Sequence, residues 1–136
     1  MTERPETVRL AYLSWLVMAA ATCLGFALIA VSAAVTQQWA PVAINAVFAV
    51  LFAALITFFA RSVYFRFAHP DRSLRTLWML SILVLYDAVF VALSQMEGPL
   101  WVVLPTGWVH ICAAVAGMVA LWLSTRQDAT AWVKGE

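Results

Sequence analysis

Between Arg9 and Arg61 the chain carries no Asp, Glu, Lys or Arg. A bilayer core about 30 Å thick takes about 20 helical residues, so this stretch is too long for one crossing and about right for two. The chain must turn back once within it. The only polar break is Thr36-Gln37-Gln38-Trp39-Ala40-Pro41, where Pro41 suits the first turn of a new helix and Trp39 suits an interface. This spacing predicts spans over 10–35 and 40–60. Charged residues make up 11% of the chain, against about a quarter in an ordinary soluble domain. With 65% hydrophobic residues and a net charge of +1, a soluble enzyme, a secreted disulfide scaffold and a disordered segment are excluded. Nucleic acid is not an expected partner, since it requires a basic face.

The second half divides in the same way. Arg61, Tyr64, Phe65, Arg66 and Phe67 mix charge with aromatics as headgroup-level residues do. His69-Pro70 then interrupts the helix, and Asp71 or Ser73 is placed to cap the next one. A third span is expected over 74–93, followed by the turn signal Ser94-Gln95-Met96-Glu97-Gly98-Pro99. Pro105 interrupts the last apolar run, so 100–104 is expected to lie in the interface and the fourth span to cover 105–123. Trp101 and Trp108 bracket one surface, Trp122 and Trp132 the other. The expectation is an all-α integral membrane four-helix bundle, one domain over 1–136 with a loop at 61–73. The first apolar run, flanked by Glu3 and Glu6 as well as Arg4 and Arg9, is too long for the h-region of a cleaved signal peptide.

Orientation follows from Lys and Arg in the short loops. Arg4 and Arg9 precede the first span; Arg61, Arg66, Arg72 and Arg75 lie between the second and third; Arg126 and Lys134 follow the fourth. The other two connections carry none. Both termini and the central loop are therefore expected in the cytoplasm, with the chain in the plasma membrane.

Asp87 is the one charge inside a predicted span, and a carboxylate at the centre of a helix costs about 2.5 to 3.5 kcal/mol to insert. At 1.5 Å per residue it lies about 20 Å in from the start of its helix, in the outer half of the bilayer. His110 and Asn45 reach a similar depth from the opposite side. One use of these three residues is a proton or cation site, with Asp87 as the acid, His110 as a group that titrates near neutrality and Asn45 orienting them. The other is a structural polar clamp that fixes helix register. The inner half of the spans is apolar apart from Ser14, Thr57 and Ser81, which gives no relay to the cytoplasm.

Cys23 and Cys112 stand singly with no C-x-x-C, so dithiol redox chemistry is not expected. His69 and His110 fall at different depths and cannot ligate one haem iron together; a single ligand at His110 stays open as an alternative. No cofactor or metal is expected, and no acid, base and nucleophile set is present. Arg61, Arg66, Arg72 and Arg75 set topology and are candidates for contact with anionic lipid head groups or a partner. Ala21 and Gly25, Ala88 and Ala92, Ala113 and Gly117 mark seams where helices approach closely, with Ala49, Ala53 and Ala120 in similar positions.

The opening Arg4-Pro5-Glu6-Thr7-Val8-Arg9-Leu10-Ala11, the Trp-containing Ala/Val/Leu span after it and the Arg-rich central loop resemble a broad group of small four-span membrane proteins from high-GC Gram-positive bacteria. Seven arginines to one lysine fit such a genome. That group has no common activity, but its members include accessory subunits of respiratory and envelope assemblies. The resemblance therefore implies an accessory or scaffolding subunit of a larger plasma-membrane complex, surrounded by lipid and packed on a larger membrane protein. The alternative is a small homo-oligomeric transporter or channel with its site at Asp87, His110 and Asn45.

Overall fold

The computed structural model describes residues 4–65, 69–94 and 105–135. Over these residues the chain is all helical: α1 (Glu6–Val35), α2 (Trp39–Tyr64), α3 (Pro70–Ser94), α4 (Pro105–Ser124) and α5 (Gln127–Lys134). The first four are long and apolar enough to cross a membrane. The expected turn at 95–99, the interfacial segment 100–104 and Arg66 lie outside the described residues.

Local chemistry sets the helix ends. The Pro5 carbonyl accepts from Val8 N at 3.1 Å and Arg9 N at 3.2 Å, which starts α1 four residues before the expected span, and Glu6 in the first turn favours the positive end of the dipole. α1 stops where Gln37 adopts φ 60. There Gln38 N donates to Ala33 O at 2.9 Å and Gln37 N to Ala34 O at 3.0 Å, the paired bonds of a Schellman cap. Pro41 falls in the first turn of α2, where a missing N–H costs nothing. Pro70 opens α3 for the same reason, and Ser73 N donates to His69 O at 3.1 Å.

α1 packs against α2 and α4, and α3 packs against α4 and α2. The four helices therefore form a ring in chain order, with α1 diagonal to α3. Three levels of contact run along the bundle. At one end Tyr12 of α1 stacks on Tyr64 of α2 with centroids 4.4 Å apart, and the Arg4 guanidinium lies over Tyr64 at 4.5 Å. Halfway along, the fully buried Met18 fills the space beside Gly117, and its sulfur lies 3.7 Å from the Ser81 hydroxyl. That hydroxyl donates to Leu77 O at 2.8 Å. The third level, near the far end, holds Asp87 and His110.

Large apolar side chains face outward on all four long helices, among them Val31, Val50, Phe58, Met79, Phe90 and Met118. Trp39 and Trp108 are exposed near one end and Trp78 and Trp122 near the other, the distribution of membrane-interface belts. The core is narrow, built on Trp15, Met18, Ile56 and Leu77.

The sequence reading did not foresee α5. It folds back under the bundle end that holds α1's start, burying Ala129 and turning Val133 toward the core. Thr7 donates its hydroxyl to Asp128 Oδ2 at 2.5 Å, so the two terminal segments meet at one end. Gly135 ends α5 at φ 77, a left-handed cap that glycine adopts without steric cost. The remaining cavity between α5 and Trp15 is about 10 Å³, room for one water at most.

Candidate functional site

His110 stands in the second turn of α4 and points into the bundle, 1% exposed. Its Nδ1 lies 2.7 Å from Asp87 Oδ2 of α3, while the Asp87 side chain remains 31% exposed. The ring meets Phe26 of α1 edge-on, centroids 5.5 Å apart at 89°. Phe26 in turn packs against Phe48 and Phe52 of α2 at 5.9 and 5.7 Å. One level thus ties together all four long helices, with the imidazole at its centre.

Gly25 creates the space for the ring. A Cβ at this position would lie 2.8 Å from His110 Nε2, 3.0 Å from Cε1 and 3.1 Å from Cδ2. The absence of a side chain on Gly25 is therefore what admits the imidazole between α1 and α4. Its Nε2 is buried with no hydrogen-bond partner among the described residues. Thr22 of α1, one turn toward the bundle centre, also buries an unpartnered hydroxyl, as Trp15 does its indole N–H two turns further on.

The carboxylate fixes the imidazole by accepting from Nδ1–H, which leaves Nε2 as the second basic position. Two chemical uses are compatible with that geometry: holding α3 and α4 in register, and taking up a proton at Nε2 to give an imidazolium beside a carboxylate. Nδ1 is engaged by the carboxylate, and the Gly25 backbone covers the face of the ring at Nε2. No group of three His, Cys, Asp or Glu able to hold a metal occurs among the described residues.

Asn45 turns onto its own helix, donating from Nδ2 to Pro41 O at 2.8 Å. The structure therefore brings Asp87 and His110 together, and Asn45 makes its bond within α2. The arginines also separate. Arg61 lies over the Phe65 ring at 5.6 Å, Arg72 is exposed, and Arg75 lines a groove shared with α5. Among the seam residues, Gly117 faces Met18 and Ser81, Ala113 and Ala88 are buried, Ala21 packs on the core, and Ala92 lines a shallow groove between α3 and α4. Cys23 is half-buried and Cys112 exposed, both free thiols.

The sequence reading did not single out Phe26, Thr22, Met18 or Trp15 as neighbours of the polar level. Their spacing at 15, 18, 22 and 26 along one face of α1 was the available signal.

The fold and this level define a multi-pass, all-helical membrane protein with an Asp–His pair inside it. Comparison with protein-family models, with curated proteins and with solved structures gives no match.

Proposed function

We propose that the chain is an accessory or scaffolding subunit of a larger plasma-membrane complex, with Asp87 and His110 acting as a clamp that holds its own helices in register. The observation that carries this reading lies on α2. Its outward face bears a shallow apolar groove lined by Ala46, Val50 and Ala54, one turn apart along the helix. Inside lipid, association is driven by close packing rather than by burial from water, and Ala46 and Ala54, two turns apart on either side of the exposed Val50, let a second helix approach. Both termini and the Arg-rich loop lie in the cytoplasm in this reading, because every short connection that carries Lys or Arg falls on one side.

The test is affinity capture of the tagged chain from native membranes in a mild detergent, followed by mass spectrometry of the intact complex. A stoichiometric larger membrane protein is expected, and A46L/A54L, which fills the groove, releases it. Recovery of the chain as a lone monomer, or retention of the partner by the filled variant, overturns the reading.

The buried, unpartnered Nε2 of His110 favours a second reading, a small transporter in which the pair takes up a proton. It requires that Asp87→Asn abolish a proton- or cation-dependent flux in liposomes while the protein stays folded. Unchanged flux removes the pair from transport.

A further inference from the structure

We propose that the groove between the start of α3 and α5 is a binding site for the head group of an anionic phospholipid. The groove, about 420 Å³, is lined by Arg75, Trp78, Thr130 and Lys134, with Asp71 at its rim and Leu74 and Val133 at its base. Neither Arg75 nor Lys134 is paired with a carboxylate among the described residues. With Asp71, the groove carries one net positive formal charge, the complement of a single phosphodiester.

The polarity of the site follows the polarity of a lipid. Arg75 and Lys134 lie at the charged end of the bundle, where both termini meet. Trp78, one turn further along α3 and 40% exposed, stands at the level of a glycerol backbone, where indole rings concentrate. Beyond it, Ile82 and Leu85 continue the same exposed face of α3. From Arg75 to Leu85 is about 15 Å of helix, the depth of one leaflet of a bilayer core of about 30 Å. Cation, aromatic and aliphatic positions therefore succeed one another along one face as phosphate, glycerol and acyl chain do along a lipid. Short as it is, α5 supplies the second cation, while its Thr130 hydroxyl donates to Arg126 O at 3.0 Å, so the site exists only where α5 docks on the bundle.

The experiment uses the full chain in detergent micelles, titrated with phosphatidylglycerol or phosphatidylcholine, with retained lipid counted by native mass spectrometry. Phosphatidylglycerol is retained at least tenfold more tightly than phosphatidylcholine. R75Q/K134Q lowers the phosphatidylglycerol affinity about 25-fold, at about fivefold per cation near an anionic surface. R61Q/R72Q removes the same charge from the same end and changes the affinity less than twofold. If the first double variant does not fold, K134Q alone gives the same contrast at about fivefold. Equal losses in the two double variants would show diffuse attraction to the basic end and overturn the site. Equal retention of the two lipids, or displacement of phosphatidylglycerol by equimolar inorganic phosphate, overturns the assignment to an anionic lipid.

Discussion

Gly25 and His110 fit together only because one of them has no side chain: a methyl group on Gly25 would stand 2.8 Å from the imidazole Nε2. Gly25→Ala therefore displaces the ring or separates α1 from α4, and overpacking of this kind costs about 1 to 3 kcal/mol. In a His110→Ala background the same alanine meets open space and its cost disappears. Thermal unfolding of the four proteins in one detergent measures the coupling, and additive effects would mean that the ring does not depend on this space.

The Asp87 carboxylate accepts from His110 across a helix seam, and interhelical hydrogen bonds inside membranes contribute about 0.6 kcal/mol on average and at most about 1.7. Asp87→Asn keeps an acceptor for Nδ1–H and is expected to cost no more than about 1 kcal/mol. Asp87→Leu removes it and leaves a buried donor unmet, a loss of about 1 to 3 kcal/mol. Equal stability of the two variants would show that the bond contributes nothing to the clamp.

Gly117 offers a contrast. An added Cβ would come within 2.6 Å of Met18 Sδ, but a thioether on three rotatable bonds relocates more readily than a ring. Alanine also gains about 1 kcal/mol of helix propensity over glycine. Gly117→Ala is expected to change stability by less than about 1 kcal/mol and to be milder than Gly25→Ala; a melting temperature that falls further than that of Gly25→Ala would contradict this ordering.

At the charged end, the Thr7 hydroxyl holds the Asp128 carboxyl below its ordinary value of 3.8, with smaller help from backbone N–H groups and Arg126. A carboxylate with a depressed folded-state pKa contributes stability above its unfolded pKa and loses it as pH falls through the lowered folded value. Docking of α5 is thus expected to be insensitive to pH near neutrality and to weaken only below about pH 4. Thr7→Val moves the Asp128 transition upward toward the ordinary value, read from the carboxyl carbon-13 shift during titration. An unmoved transition would assign the shift to other groups.

Gln37 holds a left-handed conformation at φ 60, which costs a residue with a Cβ about 1 to 2 kcal/mol. Gln37→Gly keeps the cap and relieves that strain, offset in part by greater freedom in the unfolded chain. A gain of about 1 kcal/mol in detergent is expected; a loss would show that the glutamine side chain stabilises the turn.

Charge placement made the spans legible. With Arg9, Arg61 and Arg75 fixing where water ends, the helices could be laid out by length alone, and counting 1.5 Å per residue put Asp87, His110 and Asn45 at a common depth. Depth does not give partners. Ile56 and Ala60 turn α2 toward the core, and Asn45, which the 3.6-residue repeat places on nearly the same face, still spends its amide on Pro41 O within its own helix. Gly25 was visible as a small residue, but nothing along one helix says which side chain of another will fill its space. α5 was illegible for a different reason: eight residues are too few for a hydropathy signal, and only the pair Ala129 and Val133 followed by Gly135 marks it.

The contact between Thr7 and Asp128 spans 121 positions of sequence, and α1 packs against α4 as well as α2. During synthesis the first helix enters the bilayer with Thr22 and the hollow at Gly25 open to lipid, and only α2 arrives soon enough to cover part of it. Assembly therefore waits on the later helices. The ring closes when His110 is delivered, and α5 latches the bundle only after α4 has emerged, so a lesion in α5 shows itself as slow maturation before it shows itself as a weaker fold.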